Sequence, residues 1–394
     1  MEKTPNSLRT HVTIFGNTNT GKSTLFNALL GQDLSIVSNT SGTTTDTVKK
    51  AAELLPYGPI VLMDSAGFND VSSLGAIREK KARKLLSRTD FAVYTADVGA
   101  FNKSDYEKAV LEFKNFNIPH LLVFTKTDLG VGDLENEYPD AVFVSAKENT
   151  GIDTLKDILA KRLSKIKVND EKIISGLVEK GSLVVHVIPI DSEAPKGRLI
   201  LPQVQTLRDC LDNGIRSIVV RDSELSDTIA ELGDRIRLVI TDSQAFSYVD
   251  KIVPDNVLLT SYSILMARQK GDLKALIEGA YTIDKLKDGS KILIAEACTH
   301  NSSHEDIGRV KIPNLLKKKT GKNLHFDYSV HHDFPENLSD YDLVIHCGGC
   351  MITSKTMENR IKFAQSANVP ITNYGIAIAY LNGILDRAKQ IFGL

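Results

Sequence analysis

Two sets of residues in this 394-residue chain have the types and spacing that chemistry requires. The first is Gly16-Asn17-Thr18-Asn19-Thr20-Gly21-Lys22-Ser23, between the apolar run HVTIF and the helix-forming run KSTLFNALLG. This is a phosphate-loop pattern: its glycines let backbone N–H groups close around phosphate oxygens, Lys22 adds a cation, and Ser23 offers a hydroxyl to Mg²⁺. The second set is divided between Cys298-Thr299-His300 and His346-Cys347-Gly348-Gly349-Cys350, each following an apolar run. A Cys-x-x-Cys unit can bite one tetrahedral ion or cluster, and its paired glycines let the backbone wrap sulfur and donate N–H bonds to it. Zinc with three cysteines and a histidine fits these ligands, and so does an iron-sulfur cluster on three thiolates. The fourth position is open to His300, His346, His304, Glu296, Glu305 or an exchangeable external ligand. Three of only four cysteines share this pattern, which speaks against small buried hydrophobes at strand ends. The fourth, Cys210, lies in QTLRDCLDNG with Leu207 and Leu211 at helical spacing and reads as packing or interface.

More nucleotide-binding elements follow the phosphate loop, which itself contributes Asn17, Thr20 and the adjoining Thr24. Asp64-Ser65-Ala66-Gly67 closes the run IVLMDSAG, where a carboxylate can hold the metal's water shell and the Gly67 N–H can sense the terminal phosphate. Residues 41–46, SGTTTD, supply a hydroxyl-rich switch segment with Thr43 and Thr44. Thr125-Lys126-Thr127-Asp128 ends HLLVF, and Asp128 can accept both edge protons of guanine, which adenine lacks. Ser145-Ala146-Lys147 completes a base pocket. Five such elements in order, each at a strand end, resemble the Ras-like translation-factor class of GTPases. Two positions depart from that pattern. Thr125 stands where the class usually has Asn, predicting weaker nucleotide affinity with guanine preference intact. Phe68 stands where Ras-type enzymes place the glutamine that orients attacking water. The chain is similar in this to the subgroup in which potassium replaces that glutamine; the resemblance implies Asn19 as the potassium ligand, Thr44 as the switch residue that meets Mg²⁺, and slow hydrolysis stimulated by K⁺ over Na⁺.

The elements that must position these residues alternate. Across residues 10–165, apolar strands and amphipathic helices predict a mostly parallel sheet covered on both faces. The charged segment KIKVNDEKIIS, 165–175, reads as a linker. A second set has SLVVHVIPI, IRSIVVRD, RIRLVITD and NVLLTS as strands; a third has KILIAEAC, NLHFDYSV and DYDLVIHC. The expectation is three α/β domains: a Ras-like P-loop GTPase at 1–168, a second domain at 176–264 and a thiolate-bearing domain at 265–394. If the strands before the two cysteine motifs are parallel neighbours, both motifs emerge at one carboxyl edge, where α/β folds place ligands.

A net charge of −1 argues against nucleic acid as a general partner. The opening MEKTPNSLRT lacks the apolar core of a signal peptide, and no run approaches a spanning helix, so the expected location is cytoplasmic with no membrane partner. A reducing compartment then favours metal or catalytic use of clustered cysteines over disulfides.

A phosphate-loop GTPase followed by Cys-x-His and His-Cys-x-x-Cys is similar to the HydF family, the GTPase scaffold proteins of FeFe-hydrogenase maturation. Residues 194–214, APKGRLILPQVQTLRDCLDNG, also resemble that family's dimerisation domain. The resemblance implies a homodimer holding a 4Fe-4S cluster on Cys298, Cys347 and Cys350 with a labile fourth iron position. It further implies GTP, Mg²⁺ and K⁺ as cofactors, and a carrier that receives a diiron precursor made with two radical enzymes and passes it to apo-FeFe-hydrogenase. Rival readings are a GTP-dependent ribosome or RNA maturation factor with a structural zinc domain, and a thiol redox protein using Cys347 and Cys350.

Overall fold

The computed structural model describes residues 4–31, 38–40, 48–65, 84–166, 173–190, 199–297, 307–330, 334–335 and 337–394, with 38–40 described by backbone alone. The chain forms two compact units, Met1–Val168 and Asn169–Leu394. Among the described residues no helix is long and apolar enough to cross a membrane.

Among its described residues the first unit has seven strands: β1 (Thr10–Gly16), β2 (Ser38–Thr40), β3 (Val48–Leu54), β4 (Gly58–Asp64), β5 (Phe91–Asp97), β6 (His120–Thr125) and β7 (Val142–Phe143). Their order is β2-β3-β4-β1-β5-β6-β7. From β4 to β7 all neighbours are parallel, while β2 and β3 add an antiparallel edge. Central parallel strands are buried on both faces and so read as continuous apolar runs. In β1, Val12 and Ile14 face a core with Leu25, Leu62, Val93 and Leu155. Phe15 faces the opposite core with Met63, Tyr94, Phe113 and Phe124. Among the described residues, helices α1 (Lys22–Leu29), α2 (Lys103–Asn115) and α3 (Ile152–Leu163) help cover these faces. The side chain of Asn102 caps α2 by accepting from the Asp105 N–H at 3.3 Å.

Among its described residues the second unit holds two four-stranded sheets. One comprises β8 (Leu183–Val187), β9 (Arg216–Val220), β10 (Ile236–Thr241) and β11 (Leu258–Ser261), in the order β11-β10-β8-β9. The other comprises β12 (Lys291–Glu296), β13 (His325–Val330), β14 (Leu343–His346) and β15 (Ile371–Asn373), in the order β13-β12-β14-β15. Every pairing in both is parallel. Numbered within itself, each sheet runs 2-1-3-4, so the two share a topology without an obvious sequence repeat. Helices α4 (Leu201–Asp212), α5 (Leu225–Leu232), α6 (Tyr262–Lys270), α7 (Leu273–Tyr281), α8 (Ile312–Thr320), α9 (Ser354–Ser366) and α10 (Tyr374–Leu381) connect and cover them. One continuous core runs from Val185 and Val239 through Leu276 to Leu293, Val344 and Ile361.

Two details differ from the sequence reading. The described end of the supposed linker is core: Ile173 and Ile174 are buried, and the Asp209 carboxylate accepts from the N–H groups of Ile174 (2.8 Å) and Ser175 (3.0 Å). On α4, Cys210 points inward with Gln203 and Thr206, while Leu211 is 73% exposed and therefore does not share its face. Burial pushes the Cys210 thiol up to about 11, as expected of an inert core residue. The lysine run Lys317, Lys318 and Lys319 is exposed in the last turn of α8, where cations favour the helix dipole.

Candidate functional site

The phosphate loop turns sharply out of β1. A Cβ at Gly16 would lie 2.4 Å from the Thr95 carbonyl oxygen, so only glycine lets the loop cross β5 this closely. Asn19 and Gly21 take left-handed backbone conformations, φ 65° and 77°, which is how short loops turn successive N–H groups to one side. The Thr20 hydroxyl donates to the Asn17 carbonyl at 2.9 Å and sits 2.9 Å from the Thr95 hydroxyl. Asn17 is tied to α2 through its amide, which donates to Asp105 at 2.8 Å. Lys22 folds back over the loop, its Nζ 2.6 Å from the Asn17 carbonyl. Thr24 is exposed in the first turn of α1.

The metal side of the site fits Mg²⁺. The Ser23 hydroxyl donates to Asp64 Oδ2 at 2.6 Å, leaving Asp64 Oδ1 buried without a hydrogen-bond partner. Burial raises the Asp64 carboxyl, opposed by the Ser23 hydrogen bond and the Lys22 charge; burial likewise lowers Lys22, opposed by Asp64. A buried carboxylate oxygen with an unmet lone pair beside a hydroxyl is a donor set suited to a hard cation and its waters. Ala66, Gly67, Phe68, Thr43 and Thr44 lie outside the described residues.

At the base side, Ser145 donates to Asp128 Oδ1 at 2.6 Å, and this bond holds the exposed Asp128 carboxyl below the usual carboxylate range. The Glu148 N–H in turn donates to the Ser145 hydroxyl at 3.2 Å. Lys126, itself left-handed at φ 59°, reaches Asp97 at 2.6 Å. Ala146 is half-buried, and Lys147 extends into solvent beside Glu148. Thr125 is buried, and its hydroxyl lies 2.8 Å from the Thr20 carbonyl and 3.1 Å from that of Ala96. Its single proton therefore ties β6 to the phosphate loop, a structural bond that the sequence reading did not foresee.

The thiolate region is in the second unit. Strands β12 and β14 are adjacent and parallel, with Ala295 opposite His346. The Cys347 N–H donates to Ala295 at 2.8 Å, and the Ala297 N–H donates to Cys347 Sγ at 3.1 Å. Ala297 directly precedes Cys298; Cys298, His300, His304 and Glu305 themselves lie outside the described residues. Among the described residues no group of three or more Cys, His, Asp or Glu side chains could hold a metal ion. Cys347 is buried and Cys350 half-buried, in a turn where Gly349 is left-handed at φ 63°. An amide donating to a sulfur and a left-handed glycine that lets the turn wrap it suit a thiolate ligand.

Two candidate fourth ligands are placed otherwise. Arginine can only donate, so the 2.6 Å contact from Arg360 to His346 Nε2 makes that nitrogen an acceptor. The proton is then on Nδ1, which donates to the Cys347 carbonyl at 2.6 Å. Both ring nitrogens of buried His346 are thus engaged by protein. The Glu296 carboxylate is met by Tyr374 and Arg309, each at 3.3 Å. Arg360 stacks over Phe334, 5.1 Å from its ring centroid. Burial lowers its guanidinium to about 10 against the Cys347 charge. Arg360, Phe334 and Lys270, whose ammonium reaches the Gly349 carbonyl at 2.9 Å, escaped sequence reasoning because no local motif joins them to the cysteines.

These two units define a class: a phosphate-loop GTPase domain joined to a pair of parallel α/β sheets bearing cysteines at one carboxyl edge. Residues 173–271 match the hydrogen maturase F dimerization domain, residues 272–391 its tetramerization domain, and residues 11–126 a GTPase family described as 50S ribosome-binding GTPase. The two maturase models adjoin and together span more than half of the chain; it belongs to the hydrogen maturase F, or HydF, family. Similar curated proteins include GTPase Der of Campylobacter hominis, 33% identical over 185 residues (44% of this chain, 40% of Der). The tRNA modification GTPase MnmE of Chromobacterium violaceum is 34% identical over 154 residues (37% of this chain, 33% of MnmE). The chain thus spans less than half the length of these relatives. The G domain of the T. maritima FeoB iron transporter is 26% identical, with TM-score 0.31 over 39% of this chain and 99% of that domain.

Proposed function

We propose that this chain is a GTP-hydrolysing scaffold that holds a 4Fe-4S cluster on Cys298, Cys347 and Cys350 and delivers a diiron precursor to apo-FeFe-hydrogenase. The observation that carries the reading is the Ala297 N–H on Cys347 Sγ: it brings the strand end that leads into Cys298 against the first sulfur of the Cys-x-x-Cys turn. Three cysteines leave one iron open to an exchangeable ligand, and that is the chemistry the cluster supplies to a carrier. His346, itself held by Arg360, donates to the Cys347 carbonyl, and the Ala297 N–H donates to the Cys347 sulfur. His300, His304 or an external group is the candidate fourth ligand.

In the GTPase unit, Lys22 and the phosphate-loop amides hold the β- and γ-phosphates, while Ser23, Asp64 and Thr44 hold Mg²⁺. Asp128, Lys126 and the Ser145–Lys147 segment hold guanine. Asn19 serves a potassium ion that takes over the role of the absent glutamine, and the Gly67 amide meets the terminal phosphate. Segments 42–46 and 67–68 are the switch through which nucleotide state alters docking of the two radical enzymes and the hydrogenase. A second copy covers the apolar side chains that α4 and the edge strand β9 present outward, Val204, Leu211 and Val219, giving a homodimer.

The test is delivery. Protein isolated from anaerobic cells that also make the two radical enzymes should activate purified apo-hydrogenase. The Cys347→Ala protein from the same cells should not. Activation by neither, with the hydrogenase shown competent, would refute the carrier role.

A further inference from the structure

Lys270, the last residue of α6, is almost fully buried, at 3% exposure. Its ammonium does not seek solvent. It donates to the carbonyls of Gly349 at 2.9 Å, Cys350 at 3.2 Å and Ile352 at 3.1 Å. An ammonium has three donors, and here three carbonyls of a single turn receive them. A buried charge is costly unless compensated in this way, so the arrangement is specific to this turn. Each peptide is planar and trans, with C=O and N–H opposed. Pinning these three carbonyls therefore also fixes the direction of the amides of Cys350, Met351 and Thr353. The next residue, Gly271, extends this contact: a Cβ there would come within 2.7 Å of Ile361 Cδ1 on α9, the helix that follows the turn. Lys270 belongs to the segment matched as the dimerization domain, whereas the turn belongs to the segment matched as the tetramerization domain.

We propose that Lys270 is the positioning residue of the Cys347–Cys350 turn, a cation supplied by the dimerisation segment that sets the turn's peptide planes for cluster binding. The proposal rests on the cluster assignment above. It gives the two C-terminal segments a direct connection: a change in the dimerisation segment that moves the end of α6 moves the carbonyls around Cys350.

The test uses full-length Lys270→Met, which removes charge and donors, and Lys270→Gln, which removes charge but keeps donors. In metal-free protein, amide hydrogen exchange over residues 348–353 should rise about tenfold or more in Lys270→Met, less in Lys270→Gln, with the remaining core of the second unit unchanged. After anaerobic reconstitution with ferrous iron and sulfide, Lys270→Met should lose iron to a chelator faster by a similar factor. The cluster midpoint potential should move negative in both variants, because a positive charge beside the cluster favours its reduced form. Exchange and potential within error of the parent would overturn the proposal. So would exchange raised uniformly through the second unit, which marks general destabilisation. Should Lys270→Met fail to fold, Lys270→Gln decides on the same two readouts. If the parent itself takes up no cluster, the cluster assignment fails, while the exchange result still judges Lys270.

Discussion

Lys22→Ala is expected to lower kcat for GTP hydrolysis by about 100-fold or more, with a smaller loss in nucleotide affinity. The charge that develops on the transferred phosphoryl group is met chiefly by preorganised donors, and loss of one such donor typically costs about 10²–10³ in rate. Lys22 is held ready by its 2.6 Å bond to the Asn17 carbonyl, across the mouth of a loop shaped by Gly16 and Gly21. That bond involves the loop itself and can be exchanged for phosphate oxygens without moving the backbone. Steady-state phosphate release in K⁺ and in Na⁺ buffers separates this contribution from that of Asn19. The parent should be faster in K⁺, and Asn19→Ala should erase the difference while leaving the slow Na⁺ rate within a few-fold. Equal parent rates in the two salts would remove Asn19 from the reaction, and a Lys22→Ala protein as fast as the parent would misplace the phosphate site.

The second large effect is at the thiolates. Cys347→Ala should abolish stable cluster uptake, read as loss of the visible absorbance and of bound iron after anaerobic reconstitution. Cys350→Ala should do the same, while Cys210→Ala should keep the full complement, because Cys210 is a core thiol packed beside His186. His346→Ala is expected to act differently from loss of a ligand. Its imidazole bridges Arg360 and the Cys347 carbonyl, so its removal should leave a cluster that forms but dissociates about 10- to 100-fold more readily, the usual cost of losing a supporting contact. Cluster uptake by Cys347→Ala at the parent level would exclude that sulfur as a ligand.

Much of this was legible in the sequence for physical reasons. Strands buried on both faces, such as FAVYTAD, announce themselves as apolar runs. Motifs made of backbone turns and a few polar side chains, such as GNTNTGKS, are local and can be read locally. Strand β3, VKKAAEL, one in from the edge, did not stand out, because one of its faces carries charge and partial exposure hides its period. The inward-facing Gln203 and Thr206 of α4 have the same effect in reverse: apolar Leu211 faces outward, and helical spacing alone cannot tell a core face from an interface. The long-range contacts are the least legible. Thr125 on the Thr20 carbonyl, Arg360 on His346 and Lys270 on the Cys350 turn join residues far apart in the chain, and nothing in ARQKG at the end of α6 announces that its lysine is buried.

If sulfurs from two separate stretches of chain grip iron, the composition of the metal centre will show it. Protein purified without oxygen from iron-replete cells should contain about four iron and four acid-labile sulfide per chain, the stoichiometry of one cubane cluster, with zinc well below one equivalent. One zinc per chain with no sulfide would exclude the iron cluster and leave a structural zinc domain in its place.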